Sequence, residues 1–100
     1  MGMNFLAWKS GRLIGHTELI PDPNGKAVEV IIFVDQNHRN LGIETELTRL
    51  TVEEAKELGF QSVWLVVETS DFVAIKLYRN SGFQFSDMDS CERTMLLMFP

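Results

Sequence analysis

One hundred residues, 45% of them hydrophobic and 10% aromatic, are enough to form one hydrophobic core and one domain spanning residues 1–100. Nine Lys and Arg against fourteen Asp and Glu leave a net charge of −5, which argues against a broad surface for nucleic-acid phosphates and suits a cationic or amine-bearing partner, though a modest negative charge is also ordinary for a soluble domain. The single cysteine, Cys91, excludes an intrachain disulfide, and no apolar run approaches the roughly 20 residues that a membrane span needs. With no cationic leader in Met1-Gly2-Met3-Asn4-Phe5, the expectation is a cytoplasmic protein with neither a membrane nor a nucleic-acid partner.

In chain order, Asn4 to Trp8 and Arg12 to Ile20 are β-rich runs joined by Lys9-Ser10-Gly11, a short glycine-containing hairpin loop. Pro21-Asp22-Pro23-Asn24-Gly25 is the densest turn signal and predicts a link between antiparallel neighbours. Ala27 to Val34 is β-branched and almost continuously apolar, which predicts a central strand covered on both faces. From Gly42 to Leu58 the period becomes helical through Ile43, Leu47, Leu50, Ala55 and Leu58, with Gly59 placed as a C-terminal cap. Ser62 to Glu68 predicts a second buried strand, parallel to the first. Thr69-Ser70-Asp71 offers N-cap candidates for a second helix that runs to Asn80 and ends at Gly82. Phe83 to Phe85 and Thr94 to Phe99 predict a closing hairpin, with the polar segment Ser86 to Arg93 between them. Trp8, Trp64 and the apolar stretch around Met95 are expected in the core. The predicted fold class is α/β, a mixed and largely antiparallel sheet with a central parallel strand-helix-strand unit.

In such a sheet, ligands gather beyond the carboxyl ends of the parallel strands, where the next helix presents its N-terminus; here that place is Gln36 to Ile43. The first N–H groups of a helix lack internal partners and carry the positive end of its dipole, so Arg39-Asn40-Leu41-Gly42 predicts a phosphate turn. Gly42 would let an anion approach the backbone, and Arg39 would add positive charge. No Gly-x-Gly-x-x-Gly or Gly-Lys-Ser/Thr occurs. His16 and His38 have no partners at metal-ligand spacing, so no metal is expected.

Arg39-Asn40-Leu41-Gly42-Ile43-Glu44 resembles the Arg-x-x-Gly-x-Gly/Ala signature of the GNAT acetyltransferases. Ala74-Ile75-Lys76-Leu77-Tyr78-Arg79-Asn80-Ser81-Gly82-Phe83 is similar to that family's Ala-Ile-x-Leu-Tyr-x-x-x-Gly-Phe element. The two stand in the right order with the expected helix and strand between them, so the resemblance spans about residues 5–99. It implies an N-acetyltransferase using acetyl-CoA, whose pantetheine arm enters where the strands at Ala27 to Val34 and Ser62 to Glu68 splay apart. Backbone groups of Ile32, Phe33 and Val34 would bind that arm, and the N–H groups of Arg39, Asn40, Leu41, Gly42, Ile43 and Glu44 would hold the pyrophosphate. Tyr78 matches the general acid to the departing thiolate. Glu29 is the candidate general base, because an attacking amine with a reference pKa of about 10.4 must lose a proton. Each residue also has a plain structural role open to it, Tyr78 packed under the sheet and Glu29 solvated on a strand rim.

Three departures stand against the family pattern. Glu44 replaces the small residue beside the pyrophosphate. Asp71 replaces an asparagine that contacts pantetheine; it keeps an acceptor, lacks the amide donor, and is a good N-cap. The chain opens at the hairpin without the usual first strand and two helices. The acceptor side is therefore expected to be open, suiting a small-molecule or peptide amine, or to be completed by a second subunit in a homodimer. The alternative function is a non-catalytic GNAT-like module that binds CoA or a protein.

Overall fold

The computed structural model describes residues 4–35, 37, 42–86 and 92–100. Its elements are β1 (Asn4–Lys9), β2 (Arg12–Pro21), β3 (Ala27–Val34), α1 (Ile43–Glu57), β4 (Ser62–Glu68), α2 (Phe72–Asn80), β5 (Gln84–Phe85) and β6 (Glu92–Met98). The strands form one six-stranded sheet in the order β1-β2-β3-β4-β6-β5. Among the described residues only β3 and β4 run parallel; every other neighbouring pair is antiparallel, as the sequence implies. No helix among the described residues is long and apolar enough to cross a membrane.

Alternation along the strands decides the core. Val28 and Val30 of β3, Val63, Leu65 and Val67 of β4, and Met95 of β6 point to one face and are buried there with Leu19 and Phe83. Both helices cover this face. Ala55 and Val52 bring α1 onto it, and Ala74, Ile75 and Tyr78 bring α2. Gly15 sits under α1: a Cβ there would lie 3.1 Å from Leu47 Cδ1, so the missing side chain is what lets the helix seat closely. Two buried threonines remain satisfied, because the Thr51 hydroxyl donates to the Leu47 carbonyl at 2.6 Å and lies 3.0 Å from Thr17 Oγ1.

The opposite face corrects three expectations. β3 is covered on one face, not two: Ile31 is 41% and Phe33 55% exposed. β4 is likewise open at Val66, 45% exposed, and Trp8 stands 61% exposed on the edge strand β1 instead of in the core. The cause is the placement of both helices on one side. An apolar run is compatible with two covers, but pattern alone cannot say how many helices supply them. Trp64 does bury part of its ring there, its Nε1 donating to Asp22 Oδ1 at 3.2 Å in the turn after β2. The last strand also begins earlier than expected, at Glu92, since Val67↔Arg93 and Glu68↔Glu92 extend its ladder with β4.

Candidate active site

The chemistry-bearing residues converge where the sheet divides. The β3–β4 ladder holds Ala27↔Ser62, Val28↔Val63 and Glu29↔Trp64, then stops. Beyond it β3 continues to Val34 paired only with β2, and β4 continues to Glu68 paired only with β6. Along that stretch, alternate backbone N–H and C=O groups of β3 face a gap with no strand partner, an edge that an extended amide-bearing chain can pair with.

A cleft of about 290 Å³ occupies the gap on the helix side, lined by Ile32, Val34, Glu44, Asp71, Ala74 and Tyr78 among others. It adjoins two further hollows. One, about 400 Å³, runs past Gly42, Glu44 and Lys76 between the start of α1 and the side of α2. The other, about 470 Å³, extends from Tyr78 to Val66, Glu68 and Glu92 at the far end of β4 and β6. Together they make a groove from the N-terminus of α1, past the fork, to the open end of the sheet.

Two helix starts frame the groove. Asp71 is the N-cap of α2, its carboxylate accepting from the Ala74 N–H at 3.1 Å, so the side chain is committed to the cap while still lining the cleft. α1 starts differently. Gly42 is its N-cap with φ 79°, a left-handed conformation that favours glycine, and no side chain caps the first-turn N–H groups. A Cβ on Gly42 would meet nothing of the described residues within 4 Å.

Tyr78 lies on the α2 face turned to the sheet, its ring edge-on to Phe83 with centroids 5.9 Å apart, and it borders both the cleft and the hollow at the far end. Glu44 turns into the cleft, and its Oε1 is buried without a hydrogen-bond partner among the described residues. An ionised oxygen in that position is costly unless something pairs with it.

Of the residues expected from the sequence, Ile32, Val34, Glu44, Asp71 and Tyr78 come together around one cleft, and Gly42 borders its extension. The Phe33 side chain turns to the opposite face, against His16 at a centroid distance of 5.5 Å, leaving only its backbone toward the gap. Ile43 opens α1 and is half-buried. Glu29 stands at the last rung of the β3–β4 ladder and lines none of the hollows around Tyr78. Arg39, Asn40 and Leu41, with His38 and Cys91, lie outside the described residues. No group of three or more His, Cys, Asp or Glu suited to a metal occurs among the described residues. Lys76, Glu68 and Glu92 were not foreseen: Lys76 fell on a variable position of its motif, and the two glutamates meet only through the β4–β6 register.

The sequence matches the Acetyltransferase (GNAT) family over residues 2–83. It is 36% identical over 81 residues to a mycothiol acetyltransferase of Thermomonospora curvata, an alignment covering 79% of this chain and 27% of that protein. The chain thus spans about a quarter of the length of that relative. A GNAT acetyltransferase from Streptococcus pneumoniae superposes with a TM-score of 0.88 at 18% identity, covering 98% of this chain and 67% of the other. A Bacillus subtilis acetyltransferase solved in complex with CoA superposes with a TM-score of 0.86 at 21% identity, covering 99% and 78%. These two likenesses speak for the fold. The forked parallel pair, the order of the elements around it and the match over most of the sequence agree, and the chain belongs to the GNAT acetyltransferase family.

Proposed function

We propose that this chain is an acetyl-CoA-dependent N-acetyltransferase that passes an acetyl group directly to an amine. The observation that carries this reading is the fork itself: a parallel pair that stops at Glu29↔Trp64 and leaves Ile32 and Val34 facing Asp71, Ala74 and Tyr78 across a cleft. The pantetheine amides would pair with the unpartnered backbone of β3 at Ile32, Phe33 and Val34, as a strand would. The pyrophosphate would lie at the start of α1, against the N–H groups of Arg39 to Glu44, where the helix dipole favours negative charge. Lys76, which borders the same hollow, adds a cation there.

The acetyl thioester would then sit beside Tyr78. In the transfer, the amine nitrogen bonds to the carbonyl carbon, the carbon–sulfur bond breaks, and Tyr78 protonates the departing thiolate. The amine must arrive uncharged, and Glu29 is the carboxylate that the family resemblance offers as its base, reached through water because it borders none of the hollows around Tyr78. Alignment of amine and thioester supplies most of the remaining acceleration. The setting that suits a chain with one cysteine is a reducing cytoplasm.

A second reading is favoured by Glu44. Its carboxylate oxygen, buried without a partner among the described residues, occupies the cleft at the end where a polyanion would bind, which suits a GNAT-like module without catalysis. Calorimetric titration with acetyl-CoA separates the two. The enzyme reading expects a saturable heat below about millimolar concentration, an affinity of roughly −4 kcal/mol or better. Absence of heat throughout that range would leave the non-catalytic module.

A further inference from the structure

The far end of the groove combines a pair of facing carboxylates with an exposed apolar patch. Glu68 and Glu92 stand directly opposite one another in the β4–β6 ladder. Like charges facing across a ladder are destabilising. Neither side chain has an ion-pair partner among the described residues, and the nearest cation in sequence, Arg93, alternates to the other face and lies 3.7 Å from the centroid of the Phe85 ring. Both glutamates line the hollow that also contains Tyr78. The pair is thus held, unneutralised, at the edge of the space where the thioester would lie.

The second feature is apolar. Val66 belongs to the same hollow, yet its side chain emerges on the uncovered face of the sheet. Continuing the Glu29↔Trp64 register would set Ile31 opposite Val66 and Phe33 opposite Glu68, so these exposed side chains flank the fork on the side that no helix of the described residues covers. The patch is continuous with the groove at Val66, and among the described residues the charges that border it, Glu18, Glu29, Glu68 and Glu92, are all acidic. A second copy of the same face would set carboxylates against carboxylates, which argues against self-association there and for a cationic occupant.

Resting on the acetyl-transfer reading, we infer that the acceptor is a primary amine with an apolar body. Its ammonium is received at the Glu68–Glu92 pair and its apolar part lies on Val66, Ile31 and Phe33. A cation relieves the repulsion between the carboxylates, and the apolar body covers side chains that the fold leaves in water. A polycation would satisfy the first feature and leave the second exposed; a small polar amine would do the same.

The test is acetylation of 2-phenylethylamine, ethanolamine and spermidine by the purified chain, read by mass spectrometry of the products, with acetyl-CoA affinity measured separately by calorimetry. The expected kcat/KM for phenylethylamine exceeds that for ethanolamine by about tenfold, from the apolar area covered. Glu92→Gln should raise the KM for phenylethylamine about tenfold, and Ile31→Thr several-fold, with acetyl-CoA affinity unchanged in both. If acetyl-CoA binds but spermidine or ethanolamine is the better acceptor, or if the Glu92→Gln KM is unaltered, the acceptor assignment is overturned while the transferase reading stands. If acetyl-CoA gives no heat and no product forms, both fall together.

Discussion

Glu44→Ala is expected to tighten acetyl-CoA binding by at least fivefold. The carboxylate turns into the cleft at the start of α1, the end where the pyrophosphate would lie, and one of its oxygens is buried without a partner among the described residues. Two unit charges about 4 Å apart repel by about 1 kcal/mol in water and about 4 kcal/mol at an effective dielectric of 20, which spans roughly fivefold to a thousandfold in affinity. Alanine restores the small side chain of the family pattern without the backbone freedom of glycine, so the first turn should persist. The Glu44 carbonyl that accepts from Thr48 Oγ1 at 2.7 Å is a backbone group and survives the change. A carboxylate in a first helical turn is ordinarily stabilising, but one oxygen of this one is buried without a partner among the described residues, so thermal stability should hold or rise. Calorimetry on the two proteins, alongside a melting curve, checks both statements. Equal affinities would show that the carboxylate swings away when the cosubstrate binds.

Tyr78→Phe is expected to lower kcat by about 100-fold or more, the usual range for losing a positioned proton donor, with acetyl-CoA affinity within about twofold of the parent. The substitution removes one oxygen and keeps the ring. Its edge-on packing against Phe83 and its place over the core therefore remain, and α2 should stay seated. Measured on the same preparation, kcat and affinity thus move apart. A purely structural tyrosine would leave kcat close to the parent value, and the leaving thiolate would then draw its proton from water.

Much of this architecture was legible because local signals agreed with one another. Helical spacing from Ile43 to Ala55, the glycines at 59 and 82 and the Asp71 cap all lie at the ends or on the buried side of the helices they predict. The parallel relation of β3 and β4 followed from the helix between them. What the sequence did not carry was sidedness. Ile31, Phe33 and Val66 have the residue types of a doubly covered strand, and only the placement of α1 and α2 on the same face shows that they remain exposed. The cleft residues were partly legible for a related reason. Glu44, Asp71 and Tyr78 sit inside short motifs, whereas Glu68 and Glu92 are 24 positions apart and become neighbours through strand register alone.

The orientation of Glu44 shows the same division. Its position beside the phosphate turn is a matter of sequence, but an outward side chain would have made the charge harmless. Its turn into the cleft is a tertiary fact, and on the proposed function it makes an ordinary first-turn glutamate the residue expected to limit how tightly the groove holds an anion. Asp71 resolves in the other direction. With its carboxylate already accepting from the Ala74 N–H, it serves the helix first and retains only spare acceptor capacity for a ligand amide.

Whether the fork between β3 and β4 receives acetyl-CoA can be read residue by residue from an NMR titration of the isotope-labelled chain with that compound. Saturable amide shifts are expected at Ile32, Phe33 and Val34 beyond the last rung of the ladder, at Gly42 to Glu44, and along Ala74 to Tyr78, with little change at Leu6, Ile20 and Trp64 on the other face. Saturable shifts confined to that other face, or no shifts at millimolar acetyl-CoA, would contradict it.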